Sequence, residues 1–143
     1  MGNFEVGEGR RVFARLPHGG DLIDEILAVA NENRIELAQL WAIGAVQKAR
    51  LAYYDQVRRT YREHDVNQRL EIASLIGNIS LREGKPAVHA HAVFADQDGR
   101  TYGGHVASGC VIFACELLLV EFLGDQLVRE YDEVTGLPLW KGL

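Results

Sequence analysis

The stretch that decides the fold is residues 87–105, which read AVHAHAVFADQDGRTYGGH. Its first nine residues place His89 and His91 on one side of an alternating pattern and apolar side chains on the other, as in a β-strand with one face in a core. Alternate residues of a strand share a face, so the two imidazoles project side by side, about 6.6 Å apart along the strand. This pair is the first candidate for a functional site.

A hairpin turn follows at residues 96–99, Asp-Gln-Asp-Gly. A type I turn with the glycine in the left-handed conformation predicts a three-residue loop over 97–99. The residue before that loop then pairs with Arg100, and the same register brings His91 opposite His105, where facing Cβ atoms lie roughly 4.5–5.5 Å apart. A two-residue loop would shift the register by one and send His105 to the other face. The turn type therefore decides whether three imidazoles converge.

Strand patterns extend through most of the chain, with one helix near its start. Asp21 is a candidate N-cap, Asp24 and Glu25 suit a first turn, and a 3.6-period apolar face predicts a helix that ends between residues 31 and 33. Closely spaced strands with short turns predict a mostly antiparallel sheet. The predicted strands are residues 4–16, 37–43, 48–54, 60–66, 70–81, 88–95, 101–106, 110–122 and 126–131. One or two helices beside this sheet make an α+β fold in a single domain, residues 1–143.

Composition and charge exclude several classes of protein. The chain has 143 residues, of which 48% are apolar and 24% charged, which is ordinary for a folded globular protein and excludes disorder as the main state. Lysine and arginine number 15 against 20 acidic residues, a net charge of −5. A negative net charge disfavours non-specific binding to phosphate backbones, although a local basic patch remains compatible with it.

The compartment is predicted from targeting signals and cysteines. The longest apolar run, residues 111–120, is interrupted by Glu116 and is too short for a membrane span of about 20 residues. Residues 1–12 contain no apolar segment of the kind a secretory signal requires. Cys110 and Cys115 lie about 16 Å apart along a strand, beyond disulfide reach. We therefore expect two reduced, buried thiols in a cytoplasmic protein that contacts no membrane.

Three neutral imidazoles on one face suit a first-row divalent metal, with zinc the default. His89, His91 and His105 are the predicted metal ligands. A fourth position, open to water or substrate, would let zinc acidify a bound water or polarise a carbonyl. The alternatives are histidines that hydrogen-bond within the sheet, and a small anion held without metal.

Glu116 is the candidate catalytic residue, because it interrupts an apolar strand. A carboxylate in a buried strand requires a partner, a metal or a proton. It could act as a fourth ligand or as a general base beside the metal; otherwise it lies at an interface or pairs with an arginine. Asn78, in another apolar strand, raises the same question more weakly, and His18 and His64 are expected to be solvated.

A basic cluster is the remaining candidate for a binding surface. Its arginines are interleaved with tyrosines, which would suit stacking on bases, although a solvated face and ordinary packing are the more common roles of such residues. The arginines are Arg58, Arg59, Arg62 and Arg69, and the tyrosines are Tyr53, Tyr54 and Tyr61.

The sequence resembles the plants-and-prokaryotes-conserved (PPC) domain over nearly its whole length. The resemblance is carried by His89-Ala90-His91, by Gly103-Gly104-His105 after Asp98-Gly99-Arg100, and by residues 70–80, LEIASLIGNIS. The family implies an α+β fold that assembles as a homotrimer, in which strand faces carrying Val111, Phe113, Leu117 and Leu119 would be buried between copies. Bacterial members also carry a DNA-binding label. The Arg-Gly-Arg-Pro core of the AT-hook, which enters the minor groove in plant members, is absent here.

The fold is also similar to that of the acetolactate decarboxylases and related zinc-dependent ester hydrolases. These use an H-x-H pair and a later histidine to hold zinc, which correspond here to His89, His91 and His105. The resemblances imply a DNA-binding or regulatory PPC protein with a three-histidine zinc site. The alternative is a zinc-dependent hydrolase or decarboxylase acting on a small carbonyl or ester substrate. Whether the protein is an enzyme is left open by the residues.

Overall fold

A computed structural model describes residues 2–143. Within that range the chain forms nine strands and a single helix, so the fold is mostly β-sheet, as expected. The elements are β1 (Gly7–Leu16), α1 (Leu22–Glu32), β2 (Ala38–Asp55), β3 (Thr60–Val66), β4 (Leu70–Arg82), β5 (Lys85–Ala95), β6 (Thr101–Val106), β7 (Val111–Leu123), β8 (Val128–Tyr131) and β9 (Pro138–Trp140).

Most predicted strands are confirmed, with two corrections. The segments 37–43 and 48–54 are one continuous strand, β2, because Gly44 has a φ of 143° and bends the strand at a β-bulge without ending it. The second correction is β9, three residues with no alternating pattern of their own, which form a strand only because β8 pairs with them.

The sheet closes on itself around the core. Its strand order is β1-β7-β2-β6-β5-β4-β8-β9, with β3 paired to β2. An additional pairing of β2 with β4 makes a ring of β2, β6, β5 and β4. The pairing of β4 with β8 is parallel, and the other strand pairs are antiparallel. The long strand β2 closes the ring because its first half pairs with β4 and its second half pairs with β6.

Helix α1 packs against the core side of the sheet. The Asp21 side chain accepts hydrogen bonds from the backbone of Ile23 and Asp24, as an N-cap does. Leu22 and Ile26 are fully buried and face β5, β1 and β7. No helix among the described residues has the length and apolarity needed to span a bilayer.

The two cysteines are free and buried, in agreement with the sequence expectation. Burial raises the pKa of both Cys110 and Cys115 to about 11. Both thiols are therefore protonated near neutral pH and make poor nucleophiles.

The outer face of the sheet carries an exposed cross-strand row. Strand register aligns its members side by side: Phe13 of β1, Leu118 of β7, Trp41 of β2, Ile76 of β4, His91 of β5 and His105 of β6. Phe13 is 81% exposed, Trp41 42% and Ile76 50%. The expectation that Leu117 and Leu119 are left for an interface was wrong, because both point inward and are fully buried in this chain's own core.

Glu121 is a buried carboxylate held by one arginine. It accepts hydrogen bonds from Arg10 Nε at 2.7 Å, Arg10 Nη2 at 2.8 Å and the Arg10 backbone N–H at 3.1 Å. The hydrogen bonds from the Arg10 side chain lower the pKa of Glu121 below its ordinary value of 4.5.

This pair predicts a pH-dependent contribution to stability. A carboxylate whose pKa is lowered by folding stabilises the fold above its unfolded pKa, and the contribution disappears as pH falls through the folded pKa. We expect Glu121→Gln to lower the free energy of unfolding at pH 7, and the difference from the parent protein to shrink below pH 4.5. Urea unfolding at several pH values measures it. If the difference in free energy of unfolding between the two proteins stayed constant from pH 7 to pH 3, it would contradict a lowered pKa for Glu121.

Candidate metal centre

Three histidines from two paired strands converge on the outer face of the sheet. His89 and His91 project from β5, and His105 of β6 pairs directly with His91, as the three-residue hairpin loop predicts. Gly99 has the expected left-handed φ of 77°. One ligand nitrogen from each ring can be chosen so that all lie within 4.8 Å of one another, and the ring centroids are 5.1–5.4 Å apart. The predicted register is therefore confirmed.

The environment favours the neutral form of His89 and His105, and neutral imidazole is the form that binds metals. His91 is exposed, whereas His89 and His105 are half-buried. Burial, with smaller contributions from Arg129 and the other two imidazoles, lowers the pKa of His89 to about 4. Burial and His91 lower the pKa of His105. Protons therefore compete poorly for two of the three rings near neutral pH.

The donor set fits a divalent metal. His105 Nδ1 is buried and has no hydrogen-bond partner among the described residues, and an unsatisfied buried nitrogen is costly unless something binds it. Three imidazole nitrogens suit first-row divalent ions such as zinc, which commonly take three protein ligands and keep a fourth position open. The cluster could thus hold a metal ion through His89, His91 and His105.

Residues far apart in the chain surround the cluster. The Tyr61 ring lies 4.9 Å from that of His105, and Tyr54 lies 5.0 Å from Tyr61. On the other side Asn78 of β4 is the register partner of His89, and its Oδ1 accepts a hydrogen bond from Arg129. Arg129 lies in no sequence pattern that predicts a role here, because only the pairing of β8 with β4 brings it to this place. For Asn78 the sequence analysis raised a possible role, more weakly than for Glu116.

Glu116 lies apart from the histidines. It is on β7, between Arg15 and Ile43, and β2 and β4 separate it from β5. The premise that it is buried was wrong: β7 alternates, and Glu116 is on the exposed side. Its role as a catalytic base stays a prediction, and it is absent from the group of potential metal ligands among residues 2–143.

The basic cluster is partly neutralised, because two of its arginines share one carboxylate. Arg62 Nη2 lies 2.7 Å and Arg58 Nη1 3.8 Å from Asp55 Oδ2, and the Arg59 side chain donates to the carbonyl of Glu133. Arg69 lines a separate cleft. These contacts hold the arginines in the β2–β3 turn region and reduce the positive charge available to a polyanion.

The fold recurs in solved structures. The metal-containing protein AF0104 from Archaeoglobus fulgidus is 40% identical, with a TM-score of 0.93, and the match covers 98% of this chain and 99% of that one. A plant- and prokaryote-conserved (PPC) protein from Pyrococcus horikoshii is 32% identical, also with a TM-score of 0.93, over 100% and 99% of the two chains.

More distant matches share the fold. A candidate DNA-binding protein from Ralstonia eutropha is 26% identical, with a TM-score of 0.80 over 92% and 90% of the chains. The α-acetolactate decarboxylase of Bacillus subtilis is 15% identical, with a TM-score of 0.55 over 87% and 57% of the chains, which shows a shared fold alone.

Sequence comparison gives the same family. The bifunctional protein GlmU of Synechococcus sp. (strain JA-3-3Ab) is 33% identical over 124 residues, which are 85% of this chain but 19% of that protein. The chain thus spans about a fifth of the curated relatives it matches. The model of the Plants and Prokaryotes Conserved (PCC) domain, the PPC domain of the sequence analysis, matches residues 3–123. The chain therefore belongs to the Plants and Prokaryotes Conserved domain family.

Proposed function

We propose that the protein binds zinc through His89, His91 and His105 and uses the metal to bind a small molecule. The observation that carries this proposal is the approach of three ligand nitrogens to within 4.8 Å on the outer face of a rigid hairpin. The orphaned Nδ1 of His105 supports it, because a metal or a proton-accepting ligand would satisfy that atom. The metal content of the relative from Archaeoglobus fulgidus supports it as well.

The chemistry that follows is that of an open zinc site. Three protein ligands leave a position for a substrate oxygen, and bound zinc supplies Lewis-acid polarisation of a carbonyl. His91 is exposed, so a ligand can reach the cluster from solvent. We therefore propose a zinc-dependent hydrolase or decarboxylase acting on a small carbonyl or ester substrate. This chain's residues would contribute by holding the metal and by orienting the ligand.

Elemental analysis of the untagged protein tests the metal part of this proposal. About one zinc per chain supports it. Protein that takes up no zinc, even after zinc is added back at neutral pH, contradicts it. The activity is tested separately, by screening the zinc-loaded protein against small esters and 2-oxo acids, with the metal-free protein as the control.

DNA binding in a regulatory role is the second candidate, favoured by the similarity to the Ralstonia eutropha protein. Two features count against it: a net charge of −5, and the pairing of Arg58 and Arg62 with Asp55. Binding through phosphates weakens steeply with salt, because each neutralised phosphate releases counterions. We expect duplex DNA to bind no more tightly than about 10⁻⁴ M at physiological salt, the weak end of non-specific binding.

Fluorescence anisotropy with labelled duplexes at two salt concentrations measures this. Micromolar binding with a steep salt slope would favour the regulatory role over the small-molecule site. A variant with Arg58 and Arg62 replaced by glutamine serves as the control, since it removes two of the charges on which such binding would depend.

We also propose that the protein is a cytoplasmic homotrimer. The exposed row from Phe13 to Ile76 supports self-association, because contiguous exposed apolar surface on a soluble domain often marks an interface. The number three comes from the family resemblance. The two free thiols support a reducing compartment.

A further inference from the structure

Arg129 of β8 has a guanidinium group that is fixed from several sides. Its Nε donates to Ser80 Oγ at 2.9 Å, its Nη1 to the carbonyl of Pro138 at 3.1 Å, and its Nη2 to Asn78 Oδ1 at 2.7 Å. The Trp140 ring lies under it, with the guanidinium carbon 5.1 Å from the ring centroid. A guanidinium group has five N–H groups, so two remain free to bind a ligand.

The residues that contact Arg129 are fixed by burial and by hydrogen bonds of their own. Ser80 is fully buried, and its Oγ also accepts a hydrogen bond from Trp140 Nε1 at 3.1 Å. Trp140 lies on β9 and is the register partner of Arg129 on β8. The guanidinium is therefore preorganised, so little rotamer entropy would be lost when it binds an anion.

The three-histidine cluster lies directly beside this guanidinium. Asn78, which accepts the hydrogen bond from Arg129, is the register partner of His89, and such pairs have Cβ atoms roughly 4.5–5.5 Å apart. The Tyr61 ring, tilted 34° against that of His105 at 4.9 Å, also interacts electrostatically with Arg129. The strand ring thus brings a fixed cation to the edge of the candidate metal centre.

No negative charge compensates this arrangement within residues 2–143. None of the ion pairs among the described residues includes Arg129 or any of the three histidines. Arg129 is half-buried, where an unpaired charge loses hydration. A divalent metal on neutral imidazoles would add two further positive charges next to it. A small anion that contacts both groups would relieve this accumulation of charge.

We propose that Arg129 binds the carboxylate of a small ligand whose other oxygen coordinates the metal at His89, His91 and His105. This inference rests on the proposed function, since it requires the metal. It narrows the substrate class from small carbonyl compounds to those with a carboxylate next to the metal-binding oxygen. Asn78, Ser80 and Trp140 act through Arg129, as positioning residues.

Cobalt substitution tests the proposal without relying on activity, because cobalt in a tetrahedral site absorbs visible light and responds to ligands. The untagged protein is loaded with Co²⁺ and titrated with pyruvate, and separately with imidazole, a neutral ligand that needs the metal alone. The variants are Arg129→Gln, Arg129→Lys, and Arg82→Gln as the matched control. Arg82 is the register partner of Arg129 on β4, but it is 54% exposed and lies beside Glu83.

We expect pyruvate to shift the cobalt spectrum of the parent protein and to bind at least tenfold more weakly to Arg129→Gln, as loss of a charge-assisted hydrogen bond implies. The pyruvate affinity of Arg129→Lys should lie between those of the parent and Arg129→Gln, because lysine keeps the positive charge and lacks the planar guanidinium. Imidazole affinity should change less than twofold in every variant, and Arg82→Gln should bind pyruvate like the parent. If Arg129→Gln does not fold, the pyruvate affinity of Arg129→Lys is compared with that of the parent instead.

Two results would overturn the inference alone: pyruvate that leaves the cobalt spectrum of the parent unchanged, or pyruvate that binds equally well to the parent and to the Arg129 variants. An altered subunit count in Arg129→Gln with undiminished pyruvate affinity would also overturn it, since Arg129 would then pair with a carboxylate of another copy. If the parent binds no cobalt, the proposed metal site fails and the inference fails with it.

Discussion

His91→Ala is expected to reduce bound zinc from about one per chain to less than a tenth of that. His91 is one of three nearly equidistant rings, with its centroid 5.2 Å from that of His89 and 5.4 Å from that of His105. Two imidazoles without a third ligand hold zinc far more weakly, because each ligand replaces a water of the aqua ion. The side chain is exposed, so its removal should leave the free energy of unfolding of the metal-free protein within about 0.5 kcal/mol.

The matched control is His64→Ala on β3. His64 is exposed like His91, but it is absent from the cluster. That variant should keep the full zinc content and a native circular dichroism spectrum. Stoichiometric zinc in His91→Ala would show that the ligands have been assigned wrongly. Loss of zinc from both variants would show that metal content follows general damage to the protein.

Trp41→Glu is expected to convert the proposed homotrimer into monomers. Trp41 lies in the middle of the exposed row, between Leu118 of β7 and Ile76 of β4. A charge at the centre of an apolar interface loses hydration without gaining a partner, a cost that a glutamate at an exposed position in a monomer does not carry. Light scattering should give three chains of 15.9 kDa for the parent and one for the variant.

Val57→Glu is the matched control for this change. Val57 is 93% exposed in the turn between β2 and β3, away from the row, so the same substitution there should leave the trimer intact. Phe13→Glu, at one end of the row, should also weaken assembly. A parent protein that is monomeric at micromolar concentration would contradict the homotrimer proposal, whatever the variants do.

The turn at residues 96–99 explains why the centre of the site could be predicted. A three-residue loop with a left-handed glycine fixes the register of the two strands it joins, and that register alone aligns His91 with His105. Asp96 reinforces it, because its backbone N–H donates to the Arg100 carbonyl and its side chain accepts from the Arg100 N–H. Local chemistry was sufficient here because the contacts span few residues.

The periphery of the site depends on contacts that no local pattern encodes. Arg129 reaches Asn78 across 51 residues of sequence, through a parallel pairing of only two residue pairs between β4 and β8. Trp140 belongs to a strand of three residues without alternation. Such short pairings form because the rest of the sheet already offers an edge, so they follow from the tertiary fold and leave no periodic signal.

For Glu116 the sequence indicated burial that the structure does not have. An acidic residue within a run of apolar residues suggests a buried carboxylate, but a run of residues in a strand has two faces. Leu117 and Leu119 face the core, whereas Glu116 and Leu118 face outward, Glu116 being exposed and Leu118 half-buried. Apolar side chains on the outward face gave the strand a continuous apolar appearance, which is what an interface on that face would also produce.

The central claim is that three histidine nitrogens bind zinc and leave a position for a ligand. X-ray absorption at the zinc edge, on untagged protein loaded with one equivalent of zinc, tests it most directly. The account predicts three imidazole nitrogens at about 2.0–2.1 Å and one oxygen ligand around the zinc, and a change in this coordination when pyruvate is added. A shell containing sulfur at about 2.3 Å, or a fully hydrated ion, would contradict it.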